Sequence, residues 1–424
     1  MVETRKIAAP NENGAVARDH STNQSSAAPR ILLLCKSTGT GPRRGALAVA
    51  LALRQLDPSA VVHDIDILQL AYAGLQRRAV KKGIRMQEQK PYHLARLYEQ
   101  ADRPGSERRY TWSDRLRFWQ RDLRGRFGDF WLLRSLLPFL QSEAWDVIVN
   151  VGATGELIAA LKRQGKIHAP QFLLTTDFYT HRANYKKYYD HYFVATEECA
   201  AHLKALGAKK KQISITGTPV NPAFSEIKER VQCLSAHGLN GDRPIVLQMT
   251  GGLGMGPVEK IFKSLLAVKM PLEVVVVAGR NQELKQRLEQ ITVPEQHRIK
   301  ILGLTDRVDE LMRVADVLVS KSGGMTTAEA LACGVPIVII DPFPGLEAQN
   351  CDFLLENGVA IKNQHLETLP FQLTQLFNDP QRLALMRSNA QRLGKPRAAF
   401  EIAEYILNWI AIYKGNGELR QTNT

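Results

Sequence analysis

Cysteine is scarce in this sequence, and long apolar segments are absent. The chain has 424 residues but only five cysteines, and no two of them form a Cys-x-x-Cys pair. This spacing argues against a disulfide framework and against a zinc site, and it favours a reducing compartment. No apolar run approaches the roughly 20 residues that a helix needs to cross a bilayer, so we expect no transmembrane segment.

The amino-terminal segment also lacks the hydrophobic stretch of a secretory signal peptide. Residues 1–29 are rich in Ala, Ser, Asn and Pro, and Glu3, Glu12 and Asp19 are unlike an organelle transit peptide. We therefore expect a disordered tail over residues 1–29 and a cytoplasmic protein.

Positive charge, by contrast, is abundant. The formal net charge is +14, and the isoelectric point is near 9.6. Such a balance favours an anionic partner, which could be nucleic acid, anionic lipid or a phosphorylated substrate. The length of the chain predicts two domains of ordinary size.

Most of the excess charge lies in residues 77–134. This insert has 16 Lys or Arg against seven Asp or Glu, and aromatic residues such as Trp112, Trp119 and Trp131 are interleaved with them. Basic residues with interfacial aromatics are typical of helices that lie on an anionic bilayer. A solvated Arg-rich helical insert and an RNA-binding segment are the alternatives.

Short apolar runs alternate with helical stretches along most of the chain. The first series extends from residues 30–35 to 213–215, and the second from 244–249 to 336–340. A turn-rich segment at 217–222 separates the two series and predicts a domain hinge. This alternation predicts an α/β protein with two doubly wound sheets facing a cleft. The chain should end in helices over 366–412.

The most informative stretch follows the apolar residues 317–319. The glycine pair at 323–324 allows a sharp turn and a close approach of the backbone to a ligand. Thr326 or Thr327 is predicted to cap the next helix, whose free amide groups would bind an anion. Glu329 is expected in the first turn, where it could accept hydrogen bonds from a sugar diol. The pattern favours a nucleotide site; an ordinary strand-turn-helix connection is the alternative.

Two further glycine-rich turns follow neighbouring strands. Residues 250–256 follow the strand at 244–249, and Arg280 follows the strand at 273–277. The backbone amides of the first turn could hold a phosphate, and Arg280 could pair with the same anion. The turns match neither Gly-x-Gly-x-x-Gly nor Gly-x-x-x-x-Gly-Lys-Ser/Thr, so NAD and ATP are disfavoured.

Three of these stretches resemble the monogalactosyldiacylglycerol synthase and processive diacylglycerol glucosyltransferase family, which belongs to the family 28 glycosyltransferases. They are residues 251–256, 321–330 and 342–350. Looser likeness in the first half is found at 37–39, 176–181, 192–198 and 216–220. The resemblance covers about residues 30–410 and implies a GT-B fold with two Rossmann-like domains.

The resemblance also implies a domain organisation. Residues 30–222 would form an acceptor-side domain with the insert 77–134 facing the membrane, and residues 223–395 would bind a UDP-sugar. Residues 396–424 would form a helix that packs back toward the first domain, followed by a tail.

The implied reaction is an inverting transfer with a UDP-sugar as donor substrate and with neither a metal nor a cofactor. Helix amino termini would stabilise the departing UDP as a metal does.

The implied donor-binding residues would face the diphosphate, the ribose or the donor sugar. Those for the diphosphate are Gly251, Gly252, Gly254, Gly323, Gly324 and Thr326. Glu329 would hold the ribose, and those near the sugar are Glu347, Gln349 and Asn350.

The sequence departs from the family at the expected catalytic base. The first loop of the family usually reads Thr-Gly-Gly-Gly-His, and that His is the favoured base. Here Thr40 interrupts the glycines and Pro42 occupies the His position. Asp177 and His181 are the remaining candidates, because a base must lie within about 3 Å of the acceptor hydroxyl. For each of the two, the residue type taken alone favours a structural role over a catalytic one.

We therefore predict a UDP-sugar-dependent hexosyltransferase that is peripheral on an anionic membrane surface. UDP-galactose or UDP-glucose would be the donor, diacylglycerol or a related lipid the acceptor, and nucleic acid is not expected as a partner. The alternative is a catalytically impaired protein of the same fold that still binds a UDP-sugar or a lipid.

Overall fold

The computed structural model describes residues 28–36, 40–67, 136–141, 143–152, 155–249 and 256–421. The insert 77–134, residues 1–27 of the expected tail, and the turn that contains Gly251, Gly252 and Gly254 lie outside the described residues. No helix within the described ranges has the length and apolar character needed to cross a membrane.

The first half of the chain forms a six-stranded parallel sheet with the strand order β2-β1-β3-β4-β5-β6. Its strands are β1 (Arg30–Cys35), β2 (Val61–Asp66), β3 (Val147–Val151), β4 (Gln171–Leu174), β5 (His191–Val194) and β6 (Ile213–Ile215). The central strands β3 and β4 are fully buried and mostly apolar, because helices cover both faces of a doubly wound sheet. Helices of this half are α1 (Thr40–Leu56), α2 (Gly155–Arg163) and α3 (Glu197–Ala205), and residues 136–141 are also helical.

Helix α1 begins at Thr40 and ends at Leu56. Pro42 lies in its first turn. Proline is tolerated there because the first amide groups of a helix have no intrahelical acceptor.

The second half forms another six-stranded parallel sheet, with the order β12-β11-β10-β7-β8-β9. Its strands are β7 (Ile245–Met249), β8 (Glu273–Val277), β9 (Arg298–Leu302), β10 (Val317–Ser320), β11 (Ile337–Ile340) and β12 (Ala360–Asn363). The sequence pattern does not predict β12, which is a half-buried edge strand without a continuous apolar run.

Helices connect the strands of the second sheet and complete the chain. They are α4 (Arg230–Ala236), α5 (Val258–Leu266), α6 (Gln282–Glu289), α7 (Val308–Val314), α8 (Gly324–Ala332), α9 (Leu346–Glu356), α10 (Leu369–Phe377), α11 (Pro380–Leu393) and α12 (Ala398–Gln421). Short 3-10 turns occur at Arg182–Asn184, Lys210–Gln212, Pro222–Ser225 and Leu366–Thr368.

The last helix returns from the second sheet to the first. Ile402 and Ile406 of α12 are fully buried in the same hydrophobic cluster as Ile31 and Leu33 of β1. The two halves are therefore connected by the segment after β6 and also by α12.

A buried histidine fixes α12 to the first sheet. The Nε2 atom of His191 lies 2.9 Å from Ser214 Oγ, and its Nδ1 atom lies 2.8 Å from the hydroxyl of Tyr405 on α12. One donor and one acceptor nitrogen suit a neutral ring. Burial lowers the pKa of His191 to about 4.

We expect His191 to make the stability of the protein depend on pH. Its pKa falls from 6.5 unfolded to about 4 folded, so its contribution is complete above pH 6.5 and is lost as the pH falls toward 4. At about 1.4 kcal/mol per pKa unit, the loss is about 3 kcal/mol. Urea unfolding from pH 7 to pH 4 should show a steeper loss for the wild type than for His191→Gln, which cannot titrate. Equal slopes would contradict this expectation.

Candidate binding site between the two sheets

Residues from the two halves of the chain meet at the carboxyl ends of β4 and β10. The amide of Phe178 donates a hydrogen bond of 2.9 Å to Asn350 Oδ1, and Asn350 Nδ2 donates one of 2.9 Å to Asp177 Oδ1. The ring of Phe178 stacks on Phe353, with 4.9 Å between their centroids. The fold therefore brings Asp177 and Asn350 together, although they are 173 residues apart.

The amino terminus of α8 points into this junction. Helix α8 begins at Gly324, with Gly323 as its N-cap and no side-chain cap. The prediction that Thr326 or Thr327 caps the helix is wrong, because both lie inside it and are buried. The first amide groups of α8 therefore remain available to an anion.

The first residue of α8 must be small. A Cβ atom on Gly324 would overlap the carbonyl oxygen of Thr176, which belongs to the other half of the chain. Glycine at this position is thus required by the close approach of the two halves.

Glu329 lies deeper in α8 than the sequence predicts. It is the sixth residue of the helix and belongs to the second turn, because the helix starts at Gly324. Its side chain is only 1% exposed, and its Oε1 atom pairs with Nη2 of Arg44 on α1. Its Oε2 atom is buried and has no hydrogen-bond partner among the described residues. Burial raises the pKa of Glu329, and the charge and hydrogen bond of Arg44 lower it.

The turn before α9 is held by its own side chains. Glu347 Oε2 accepts a hydrogen bond of 2.8 Å from the amide of Phe343, and Ser322 Oγ donates one of 2.6 Å to the carbonyl of Glu347. Burial raises the pKa of Glu347, and the nearby Lys321 lowers it. Gly345 has a φ of 102°, a conformation that favours glycine. Gln349 lies on the same helix, one residue before Asn350.

The two candidates for the base have different surroundings. Asp177 contacts Asn350 and faces the second half. Burial raises the pKa of Asp177, while Asn350 and the charge of His181 lower it. His181 is buried, and its ring packs edge-on against Tyr179 at 5.5 Å. Asp177 reaches the second half of the chain through its hydrogen bond with Asn350.

Arg280 lies apart from these residues. It is exposed after the end of β8, and β7 separates β8 from β10 in the sheet. It thus shares the sheet edge with α8 without lying on the neighbouring strand.

Two basic residues of the site received no role from the sequence. One is Arg44. The other is Lys321, whose side chain lies beside Gly256 in the turn before α5. A Cβ atom on Gly256 would lie 3.1 Å from Lys321 Cε and 3.4 Å from Nζ. Lys321 lies close to the turn at Gly323 in the sequence. A phosphate-binding role for Lys321 could have been predicted from this position. Arg44 had no comparable signal, since its partner is 285 residues away.

The described part of the chain contains no cluster of three or more His, Cys, Asp or Glu side chains that could hold a metal ion.

Two family models match the sequence. The model described as Monogalactosyldiacylglycerol (MGDG) synthase matches residues 118–220, and the model described as Glycosyl transferases group 1 matches residues 237–393.

Curated relatives match over a longer part of the chain. The processive diacylglycerol beta-glucosyltransferase of Bacillus licheniformis is 34% identical over 249 residues, which is 58% of this chain and 64% of the relative. The chain thus spans just under two thirds of the length of that relative. The protein of the same description from Bacillus subtilis is 32% identical over 263 residues, which is 62% of this chain and 68% of the relative.

Solved structures show the same architecture. MurG of Acinetobacter baumannii superposes with a TM-score of 0.54 at 18% identity, covering 90% of this chain and 99% of MurG. MnaA of S. aureus, solved with UDP, gives a TM-score of 0.56 at 14% identity, covering 90% and 97% of the two chains. These likenesses and the two parallel sheets confirm the predicted GT-B fold. The chain belongs to the glycosyltransferase family that includes the processive diacylglycerol beta-glucosyltransferases.

Proposed function

We propose that this protein is a UDP-sugar-dependent glycosyltransferase that moves a hexose to a lipid hydroxyl, with diacylglycerol as the acceptor. The observation that carries the proposal is the buried Oε2 atom of Glu329, which has no hydrogen-bond partner in the described part of the chain and belongs to a helix without a side-chain cap at its amino terminus. A buried carboxylate oxygen without a partner is costly, and a ribose hydroxyl would satisfy it. The family membership supports sugar transfer as the use of this site.

In this proposal the donor lies along α8. The free amides at Gly323 and Gly324 and the ammonium of Lys321 would hold the diphosphate, with Thr326 nearby, and Glu329 would bind the ribose. The other diphosphate residues, Gly251, Gly252 and Gly254, lie outside the described residues and stay predictions from the resemblance.

The donor sugar would extend from the diphosphate toward the junction of the two halves. Glu347, Gln349 and Asn350 on α9 are the residues proposed to lie near it. Arg280 stays a weaker candidate for the diphosphate, because it follows β8 rather than the strand beside β10.

Asp177 is the proposed base. Pro42 has no titratable group and cannot take the role of the family His, whereas Asp177 is a carboxylate at the junction with α9. The acceptor oxygen would attack the anomeric carbon from the face opposite UDP, and its proton would pass to Asp177. The bond between that carbon and the UDP oxygen would break, and its electron pair would leave with UDP, which gives inversion.

The charge that develops on UDP needs stabilisation during this step. The amide groups at the start of α8 are fixed dipoles and Lys321 is a cation, so together they can act without a resident metal. Burial of the site strengthens both contributions, because the local dielectric is lower than in water.

We also propose that the protein acts at an anionic membrane surface. The net charge of +14 and the basic, aromatic insert 77–134 support this proposal. UDP-galactose and UDP-glucose are both candidate donors.

A transfer assay tests the proposal. Radiolabelled UDP-galactose and UDP-glucose are offered separately with diacylglycerol in anionic liposomes, and we expect a labelled glycolipid from one of them. No glycolipid from either donor would overturn the proposal. Calorimetry on the same preparation then identifies the alternative: UDP binding without turnover on any acceptor is the result expected of a catalytically impaired binding protein.

A further inference from the structure

The first half of the chain contributes one side chain to the proposed nucleotide site. Arg44 projects from α1 and pairs through Nη2 with Oε1 of Glu329. The side chain of Arg44 is 34% exposed, whereas the carboxylate that it contacts is only 1% exposed. The pair joins the two halves of the chain.

Glu329 needs such a partner in order to stay ionised. A carboxylate with so little exposure to water would otherwise favour its protonated form. From α1 the charged group that faces it is Arg44, and from α7 it is Asp309, whose negative charge raises the pKa of Glu329 further. Cys333 lies at the end of α8, the helix that contains Glu329. Burial raises the pKa of the Cys333 thiol to about 12, so the thiol is neutral. Helix α11 packs on the far end of α8, where the uncharged Gln391 meets Gly334.

The geometry of the pair leaves one oxygen unused. Arg44 occupies Oε1, while Oε2 has no partner among the described residues. The contact therefore fixes the orientation of the carboxylate and leaves a single strong acceptor for a ligand.

We propose that Arg44 is a positioning residue of the donor site, supplied by the acceptor-side half, which holds Glu329 through Oε1 so that Oε2 accepts a ribose hydroxyl. This inference rests on the proposed donor binding. Because Arg44 and Glu329 belong to different halves, the pair also makes nucleotide affinity depend on closure of the cleft, since opening would separate the two side chains.

The adjacent arginine provides a matched control. Arg43 lies on the same helix, carries the same charge and pairs with Asp64 Oδ2 of β2 at 2.5 Å, entirely within the first half. Replacing either arginine removes one surface cation and one ion pair, but only Arg44 contacts the proposed donor site.

The test is UDP binding by calorimetry on the full chain, between pH 6 and pH 8.5. We expect Arg44→Ala to bind UDP roughly tenfold more weakly than the wild type at pH 7, the loss of about one charge-assisted hydrogen bond. Arg44→Lys should recover part of the loss, and Arg43→Ala should bind as the wild type does. The ratio of wild-type to Arg44→Ala affinity should decrease as the pH rises, because Glu329 without Arg44 regains its charge only at higher pH.

A double-mutant cycle completes the test. In a Glu329→Gln background, Arg44→Ala should change UDP affinity by less than twofold, because Arg44 acts through the carboxylate. Unchanged or tighter UDP binding by Arg44→Ala would overturn the inference, and tighter binding would mean that Arg44 competes with the nucleotide for Glu329. If the wild type and Arg43→Ala also fail to bind UDP, the proposed function itself fails.

Discussion

Asp177→Asn should lower the turnover number by about 10² to 10⁴-fold and leave the affinity for UDP close to that of the wild type. The amide keeps the shape of the side chain and can still accept the 2.9 Å hydrogen bond from Asn350 Nδ2, so the junction should survive. What it loses is the ability to take a proton from the acceptor. Steady-state kinetics on donor and lipid, with calorimetry of UDP, measures both effects.

The pH profile separates a base from a structural residue. Burial raises the pKa of Asp177 above its ordinary value of 3.8, and a base must be ionised to act. Turnover of the wild type should therefore rise with pH through this raised pKa, and the residual turnover of Asp177→Asn should lack that acidic limb.

His181→Gln is the matched comparison for Asp177→Asn. It removes the other candidate base and leaves Asp177 in contact with Asn350. We expect a smaller loss of turnover than in Asp177→Asn. A near-normal rate for Asp177→Asn together with a large loss in His181→Gln would assign the base to His181 instead.

Glu329→Ala should weaken UDP binding by about 10- to 100-fold. A hydrogen bond from a ribose hydroxyl to a carboxylate contributes about 1.5 to 3 kcal/mol, and about 3 kcal/mol corresponds to roughly 100-fold. The same variant also leaves Arg44 without its carboxylate partner. Calorimetry with UDP gives the affinity, and thermal unfolding shows whether α8 remains folded.

Glu289→Ala is the control for that measurement. Glu289 is the last residue of α6 and pairs with Lys285 of the same helix at 2.5 Å. Its removal should leave UDP binding unchanged. Wild-type UDP affinity in Glu329→Ala would mean that the nucleotide is bound elsewhere.

Helices and strands could be predicted where the local sequence alone determines them. β1, β8, β10 and β11 consist mostly of consecutive apolar residues followed by turn residues, and such runs identify buried parallel strands. β12 was not predicted because it is a half-buried edge strand, and such a strand needs fewer apolar residues than a central strand. The start of α8 was misplaced because a helix can begin on a glycine whose amides are left to a ligand rather than to a threonine cap.

The site was predictable only in part, because its parts come from distant positions. The turn at Gly323 and Glu329 could be identified from spacing within one strand-turn-helix unit. The partners of that unit could not, since Arg44 and Asp177 are brought to it by the packing of one half of the chain on the other. Sequence did identify Pro42 as a departure from the family loop, and its place in the first turn of α1 shows why proline is accepted there.

The anomeric configuration of the product tests the central claim most directly. UDP-[¹³C]glucose and UDP-[¹³C]galactose, both α-linked donors, are incubated separately with the protein and diacylglycerol, and the lipid extract is examined by NMR. Attack from the face opposite UDP predicts a β-linked hexosyl lipid from one of the two donors. An α-linked glycolipid, or release of free sugar without any glycolipid, would contradict the account.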